Sequence, residues 1–114
     1  MMHEIKLSPE FLADFSKLEA KAEKGDGESK YLLQIIDKGI AKLARDVTIG
    51  KKVPKKLWPR VYVQRYGINN LWKLNLDRFW RMTYTIVGGK AELIGIVLEV
   101  MDHHSYSKRF GYRK

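Results

Sequence analysis

Residues 70–101 restrict the fold most, because they alternate with the two-residue period of β-strands and are interrupted twice by turn residues. In the first run, Trp72, Leu74 and Leu76 share one face, while Lys73 and Asn75 share the other. In the second, residues 79–87, Trp80, Met82, Tyr84 and Ile86 oppose Arg81, Thr83 and Thr85. The third, residues 91–101, is apolar almost throughout; Ile94, Ile96, Leu98 and Val100 are expected in the core, with Leu93, Gly95, Val97 and Glu99 behind them. Paired residues project to the same face, and a slip of one residue reverses a strand. Keeping Leu74 and Met82 together therefore requires an odd turn, residues 77–79, which sets Asn75 opposite Arg81 and Lys73 opposite Thr83. The same argument predicts a turn at Gly88, Gly89 and Lys90, with two glycines supplying positive φ. It sets Gly95 beside Thr83 and Val97 beside Arg81. The expected outer face then carries cations, an amide and hydroxyls around Gly95, which either admits a flat ligand or marks a bulge.

Ahead of this meander the period changes. A short strand, residues 3–7, is followed by Ser8, Pro9 and Glu10, a helix start with a cap, a preset φ and an acid at the positive end of the dipole. Phe11, Phe15, Leu18 and Ala22 recur at helical spacing, with Leu12 beside them, until Gly25, Asp26 and Gly27 end the run. A second helix is expected over 28–44, with Tyr31, Leu32, Ile35, Ile36, Ile40 and Leu43 as its apolar stripe. Gly39 costs ~1 kcal/mol of helix propensity against alanine, which implies close packing, expected against the first helix. The predicted class is α+β: an N-terminal strand, a helical hairpin, then a three-stranded antiparallel meander with the helices packed on one face. At 114 residues and 45% apolar content, one domain spanning 1–114 is expected.

Charge is divided unevenly. Residues 1–46 hold 8 Lys and Arg against 9 Asp and Glu, whereas residues 47–114 hold 14 against 4. From Val47 through Leu76 there is no acid at all, and Lys51, Lys52, Lys55, Lys56, Arg60, Arg65 and Lys73 alternate with Trp58, Tyr62, Tyr66 and Trp72. A basic half of this kind points to a polyanionic partner, nucleic acid or an acidic protein. Gly50, Pro54, Pro59 and Gly67 argue against a long regular element here. Trp58 and Tyr62 are expected to pin this loop to the core; the alternative is that they stack on bases. The lysines are assigned to phosphate.

Other classes are excluded. The chain has no cysteine, so disulfides and cysteine-based zinc sites are absent. The first residues lack the apolar run of an export signal, and no stretch approaches the ~18 apolar residues of a membrane span. A cytoplasmic protein without membrane partners is expected. The tail from Asp102 combines His103, His104, Tyr106, Lys108, Arg109 and Tyr112, a dense set of proton-transfer groups. Adjacent histidines seldom converge on one ion, so no metal is assigned.

The order of hairpin, basic loop and meander, with Trp72-Lys73-Leu74-Asn75-Leu76, Trp80-Arg81-Met82-Thr83-Tyr84 and the tail Asp102-His103-His104-Ser105-Tyr106, resembles the RelE/ParE superfamily of type II toxins over about the full length. The resemblance implies one of two activities: the RelE-like members are ribosome-dependent messenger-RNA endonucleases, and the ParE-like members poison DNA gyrase. Both are held inactive by a co-expressed antitoxin, which implies a toxin–antitoxin hetero-oligomer. In the nuclease branch a lysine pair, an arginine, and a basic residue or histidine with a tyrosine form the site. Lys73 and Arg81 match; Asn75 stands where the second lysine would be, and His103 or His104 with Tyr106 supply the rest. The alternative reading is a gyrase inhibitor or an inactive module that binds RNA or antitoxin.

RNA is cleaved without metal or cofactor when its own 2′-hydroxyl attacks the adjacent phosphate, given a base, an acid and cations for the transition state. The expected catalytic set is Lys73, Arg81, His104 and Tyr106: Arg81 as bidentate clamp, Lys73 as second cation and acid, His104 as base, Tyr106 as base or stacking platform. Glu99, on the same face, is expected to orient Arg81. Lys51, Lys52, Lys55, Lys56, Arg60, Asn75, Lys108 and Arg109 are assigned to RNA phosphates.

Overall fold

The computed structural model describes residues 2–89 and 92–111. Its elements run β1 (Glu4–Leu7), α1 (Pro9–Glu23), α2 (Gly27–Arg45), β2 (Lys51–Lys52), a 3₁₀ turn (Lys55–Leu57), α3 (Arg60–Tyr66), β3 (Trp72–Asn75), β4 (Trp80–Gly88), β5 (Leu93–Asp102) and α4 (His103–Phe110). Among these residues no helix is long and apolar enough to cross a membrane.

The hairpin forms as its sequence dictates. Ser8 Oγ accepts from Phe11 N at 3.0 Å, and Asp26 caps α2 through Ser29 N at 3.0 Å. The stripe of α2 buries Leu32, Ile35, Ile36 and Leu43 against Leu74, Met82, Tyr84 and Val97 of the sheet, with Phe11 of α1. Each such side chain is worth about 1.5–3 kcal/mol when fully buried. Gly39 packs on the sheet rather than on α1: a Cβ there would lie 2.5 Å from Leu76 Cδ2.

The sheet has five strands in the order β1-β5-β4-β3-β2, so the meander is extended at both edges. β1 pairs parallel with β5, and β2 antiparallel with β3. Between β3 and β4 the register is the expected one, Lys73 opposite Thr83 and Asn75 opposite Arg81. Asp77 Oδ1 holds the turn by accepting from Phe79 N (2.8 Å) and Trp80 N (2.6 Å).

Between β4 and β5 the expected register fails. Gly95 lies opposite Ile86, Val97 opposite Tyr84, and Arg81 opposite Met101. A bulge then follows at Thr83/Tyr84, placing Leu98 between Val97, the partner of Tyr84, and Glu99, the partner of Thr83. Gly95 and Val97 therefore face the hairpin, and Ile96 and Leu98 face away from it. Gly95 neither forms the bulge nor faces a ligand; a Cβ there would lie 3.0 Å from Ile5 Cδ1 of β1. Of the two turn glycines, Gly88 takes positive φ (124°) and Gly89 does not; Lys90 lies outside the described residues. β5 is apolar on both faces, so alternation along it carries no preference for one register. Both faces are in fact covered.

The second face is covered by two short helices, one in the stretch where no long regular element is expected and one in the tail. α3 and α4 pack there with Val53, Ile68 and Leu71, burying Tyr62, Tyr106 and Phe110 against Leu98 and Met101. The bulged carbonyl of Leu98 is satisfied by Ser8 Oγ at 2.8 Å, which ties the start of α1 to the irregular point of the sheet.

Candidate functional site

Two elements of the second face meet at the β3–β4 hairpin. Asp102 ends β5 and caps α4, accepting from Ser105 N at 2.7 Å. That backbone hydrogen bond holds the Asp102 carboxyl below its ordinary range, against a smaller opposing effect of burial. The cap turns the chain so that His103 and Tyr106, one helical turn apart, both face the strand that carries Arg81. Tyr106 is fully buried, stacked on Phe110 at 4.2 Å between centroids. Its ring is the floor of a cation cluster: Lys73 Nζ lies 5.0 Å from the ring centroid and Arg81 Cζ 5.9 Å.

Arg81 is half-buried, with Nη1 donating to Arg78 O at 3.3 Å and Nη2 standing 3.1 Å from His103 Nδ1. A guanidinium has no acceptor, so this contact needs an unprotonated Nδ1. Neutral His103 then carries its proton on Nε2. The Nε–H of Arg81 is shielded from solvent and has no acceptor among the described residues, an exception to the rule that buried donors are paired.

The expected residues sort into those the fold assembles and those it separates. Lys51 lies directly opposite Lys73 on the same face, and exposed Asn75 lies opposite Arg81. Lys51, Lys73, Asn75 and Arg81 thus form one patch, with exposed His103 at its margin. Lys52 has the opposite parity; its Nζ lies 5.9 Å from the ring of Trp72, which packs on the hairpin side. Lys55, Lys56 and Arg60 are exposed on the 3₁₀ turn and the start of α3, and Lys108 is exposed in the last turn of α4. His104 is exposed at the start of α4, but His103 is the imidazole that reaches Arg81. Tyr106 cannot serve as a stacking platform, because none of its surface is accessible.

Glu99 and Arg109 also depart from expectation. Glu99 does not orient Arg81. It accepts from Tyr62 Oη (2.7 Å), Tyr66 Oη (3.1 Å) and Arg109 Nη1 (2.6 Å), with Arg65 Nη1 at 3.8 Å. Arg109 is thereby joined to the scaffold rather than presented to a phosphate. Burial, with the Glu99 charge, pushes the Tyr66 phenol up to about 12, and the same two causes raise Tyr62 further. Both phenols are donors at neutral pH. Of the two imidazoles the sequence offers, His103 is the one at Arg81; the cap at Asp102 and the hub at Glu99 lie beyond the sequence reading, although Asp102 three residues before Ser105 is a cap signal.

These elements in this order have a known counterpart among solved structures. A YoeB/ParE toxin from Agrobacterium tumefaciens superposes with a TM-score of 0.56 and 15% identity, covering 88% of this chain and 98% of that one. The chain has a YoeB/ParE toxin fold. No family model matches its sequence, and no curated protein does. At 15% identity the likeness to the YoeB/ParE toxin lies in the backbone path, and the side chains described above are this chain's own.

Proposed function

We propose that this chain is the toxin of a type II toxin–antitoxin pair and acts as a ribosome-dependent messenger-RNA endoribonuclease that needs no metal. The observation that carries the reading is the patch of Lys51, Lys73 and Arg81, with His103 on Arg81 and the ring of Tyr106 beneath. Arg81 and Lys73 hold the scissile phosphate and the charge that builds on it in the transition state. The 2′-hydroxyl attacks phosphorus as His104 removes its proton, and the P–O5′ bond breaks to leave a 2′,3′-cyclic phosphate. Lys73, as an ammonium, protonates the departing 5′-oxygen, and His103 supports the Arg81 clamp through Nδ1. Tyr106 positions the two cations from below rather than touching the substrate. The antitoxin is expected to be an acidic protein that covers this basic half.

Uncharged Asn75, opposite Arg81, favours a second reading, the gyrase inhibitor. Expression without antitoxin separates the two. Growth arrest with ribosome-bound transcripts ending in cyclic or 3′-phosphate supports the nuclease; arrest with intact transcripts and DNA breaks supports the inhibitor. Arg81→Ala should abolish cutting, an effect on the order of 2.7–4 kcal/mol for loss of one such donor. His104→Ala should slow cleavage while leaving RNA affinity nearly unchanged, because proton transfer acts on rate.

A further inference from the structure

The catalytic patch leaves unused a cleft of about 420 Å³ at the β2 edge of the same face. Val53, Pro54, Trp58 and Leu71 form its apolar walls, Lys55 and Asn69 stand on its rim, and no carboxylate lines it. Its position relative to the patch follows from the ladder. Lys51 pairs with Lys73, and two residues further on Val53 N donates to Leu71 O at 2.8 Å. The Val53–Leu71 pair is therefore on the face of Lys73 and about 7 Å along the strands from it. Trp58 Nε1 donates to Val53 O at 2.9 Å. That bond fixes the ring and turns its one polar atom onto the backbone, so the indole offers the cleft π surface alone. Asn69 Oδ1 accepts from Asn70 Nδ2, and its own amide N–H groups have no partner among the described residues.

We propose that this cleft is a nucleotide subsite of single-stranded RNA, taking the base next to the one whose phosphate lies on Lys73 and Arg81. The inference rests on the RNA-cleaving reading for the identity of its ligand. A flat aromatic wall suits any base, and base–aromatic contact is sequence-tolerant. Lys55 meets the phosphate of that nucleotide, and the Asn69 amide meets the base edge. The stretch without acids, residues 47–76, surrounds the cleft and excludes repulsion along the whole path of the strand. An acidic peptide would match the charge but has no need of a flat slot beside a phosphate clamp.

The test is amide and indole NMR of the full chain titrated with an RNA pentamer carrying 2′-O-methyl groups, which cannot be cleaved. The Trp58 indole signal is assigned from its loss in Trp58→Phe. It should shift together with the Lys55 and Asn69 amides. Lys55→Glu and Asn69→Trp, both at exposed positions, should weaken binding about tenfold, within the range for losing one stacked base. The shifts at Arg81 should remain in both variants. RNA that perturbs Arg81 and Lys73 but leaves the Trp58 indole and its neighbours still would overturn the subsite and keep the nuclease reading. Binding at neither place would overturn the subsite, and the nuclease reading would stand or fall by transcript cleavage on the ribosome. An acidic Glu/Leu peptide that shifts the Trp58 indole where RNA does not would reassign the cleft to a protein partner.

Discussion

The two faces of the sheet are covered by opposite means. On one, α1 and α2 lay apolar stripes over Leu74, Met82 and Val97, with Ser8 bonded to the Leu98 carbonyl and Tyr31 to Asp77 at the margins. On the other, α3 and α4 are short, and a carboxylate joins them to the sheet as much as packing does. Glu99, whose side chain is 12% exposed, takes hydrogen bonds from Tyr62 and Tyr66 of α3 and Arg109 of α4. The first face is filled by apolar side chains and is closed. The second leaves Lys73 and Arg81 at an opening whose floor is Tyr106. The helices of this second face are fastened by a network that ends short of the cations, which on the proposed function leaves room for a polyanion.

The contrast can be broken most forcefully at Ile36, which is fully buried on the closed face. Ile36→Ala should cost about 2–5 kcal/mol, from lost transfer energy and the cavity left behind, read as a lower urea midpoint at unchanged slope. RNA binding by the folded fraction should stay as it was. A loss below 1 kcal/mol would mean that the hairpin is not the principal core.

On the open face, Glu99→Ala should cost about 1–3 kcal/mol, because it strips an acceptor from buried Tyr62 and removes the carboxylate that Arg65 and Arg109 share. Hydrogen exchange should rise in α3 and α4 and remain unchanged in α1 and α2. A uniform rise across all four helices would erase the distinction between the faces.

The smallest effect is expected at the cap of α4. Asp102→Ala should cost about 1 kcal/mol, read as faster exchange of the α4 amides and a displaced His103. The pH dependence has a definite sign. The folded carboxyl titrates below its unfolded value, so its contribution is present above the unfolded pKa of ~3.9 and is lost as pH falls through the lowered folded value. Protection of α4 in the native chain should therefore fall below about pH 4. Asp102→Asn should keep the cap at neutral pH and lack that acid step.

Period and cap signals determined much of this molecule without the structure. The capped hairpin, its buried stripe and the β3–β4 register are local: each depends on residues close in sequence and on one face being apolar. For that reason Lys73, Asn75 and Arg81 could be placed on a common face beforehand. Tertiary structure decided the rest. β5 is apolar on both sides, so its facing depended on what α3 and α4 cover, and the bulge at Leu98 let it serve both layers. Arg60–Tyr66 and His103–Phe110 are too short and too polar to announce themselves as helices, since seven or eight residues form a helix only when packing supports them. The choice of His103 over His104 followed from the same cause. Adjacent residues on a helix point in different directions, and only the packing of Tyr106 and Phe110 into the core sets which imidazole meets Arg81.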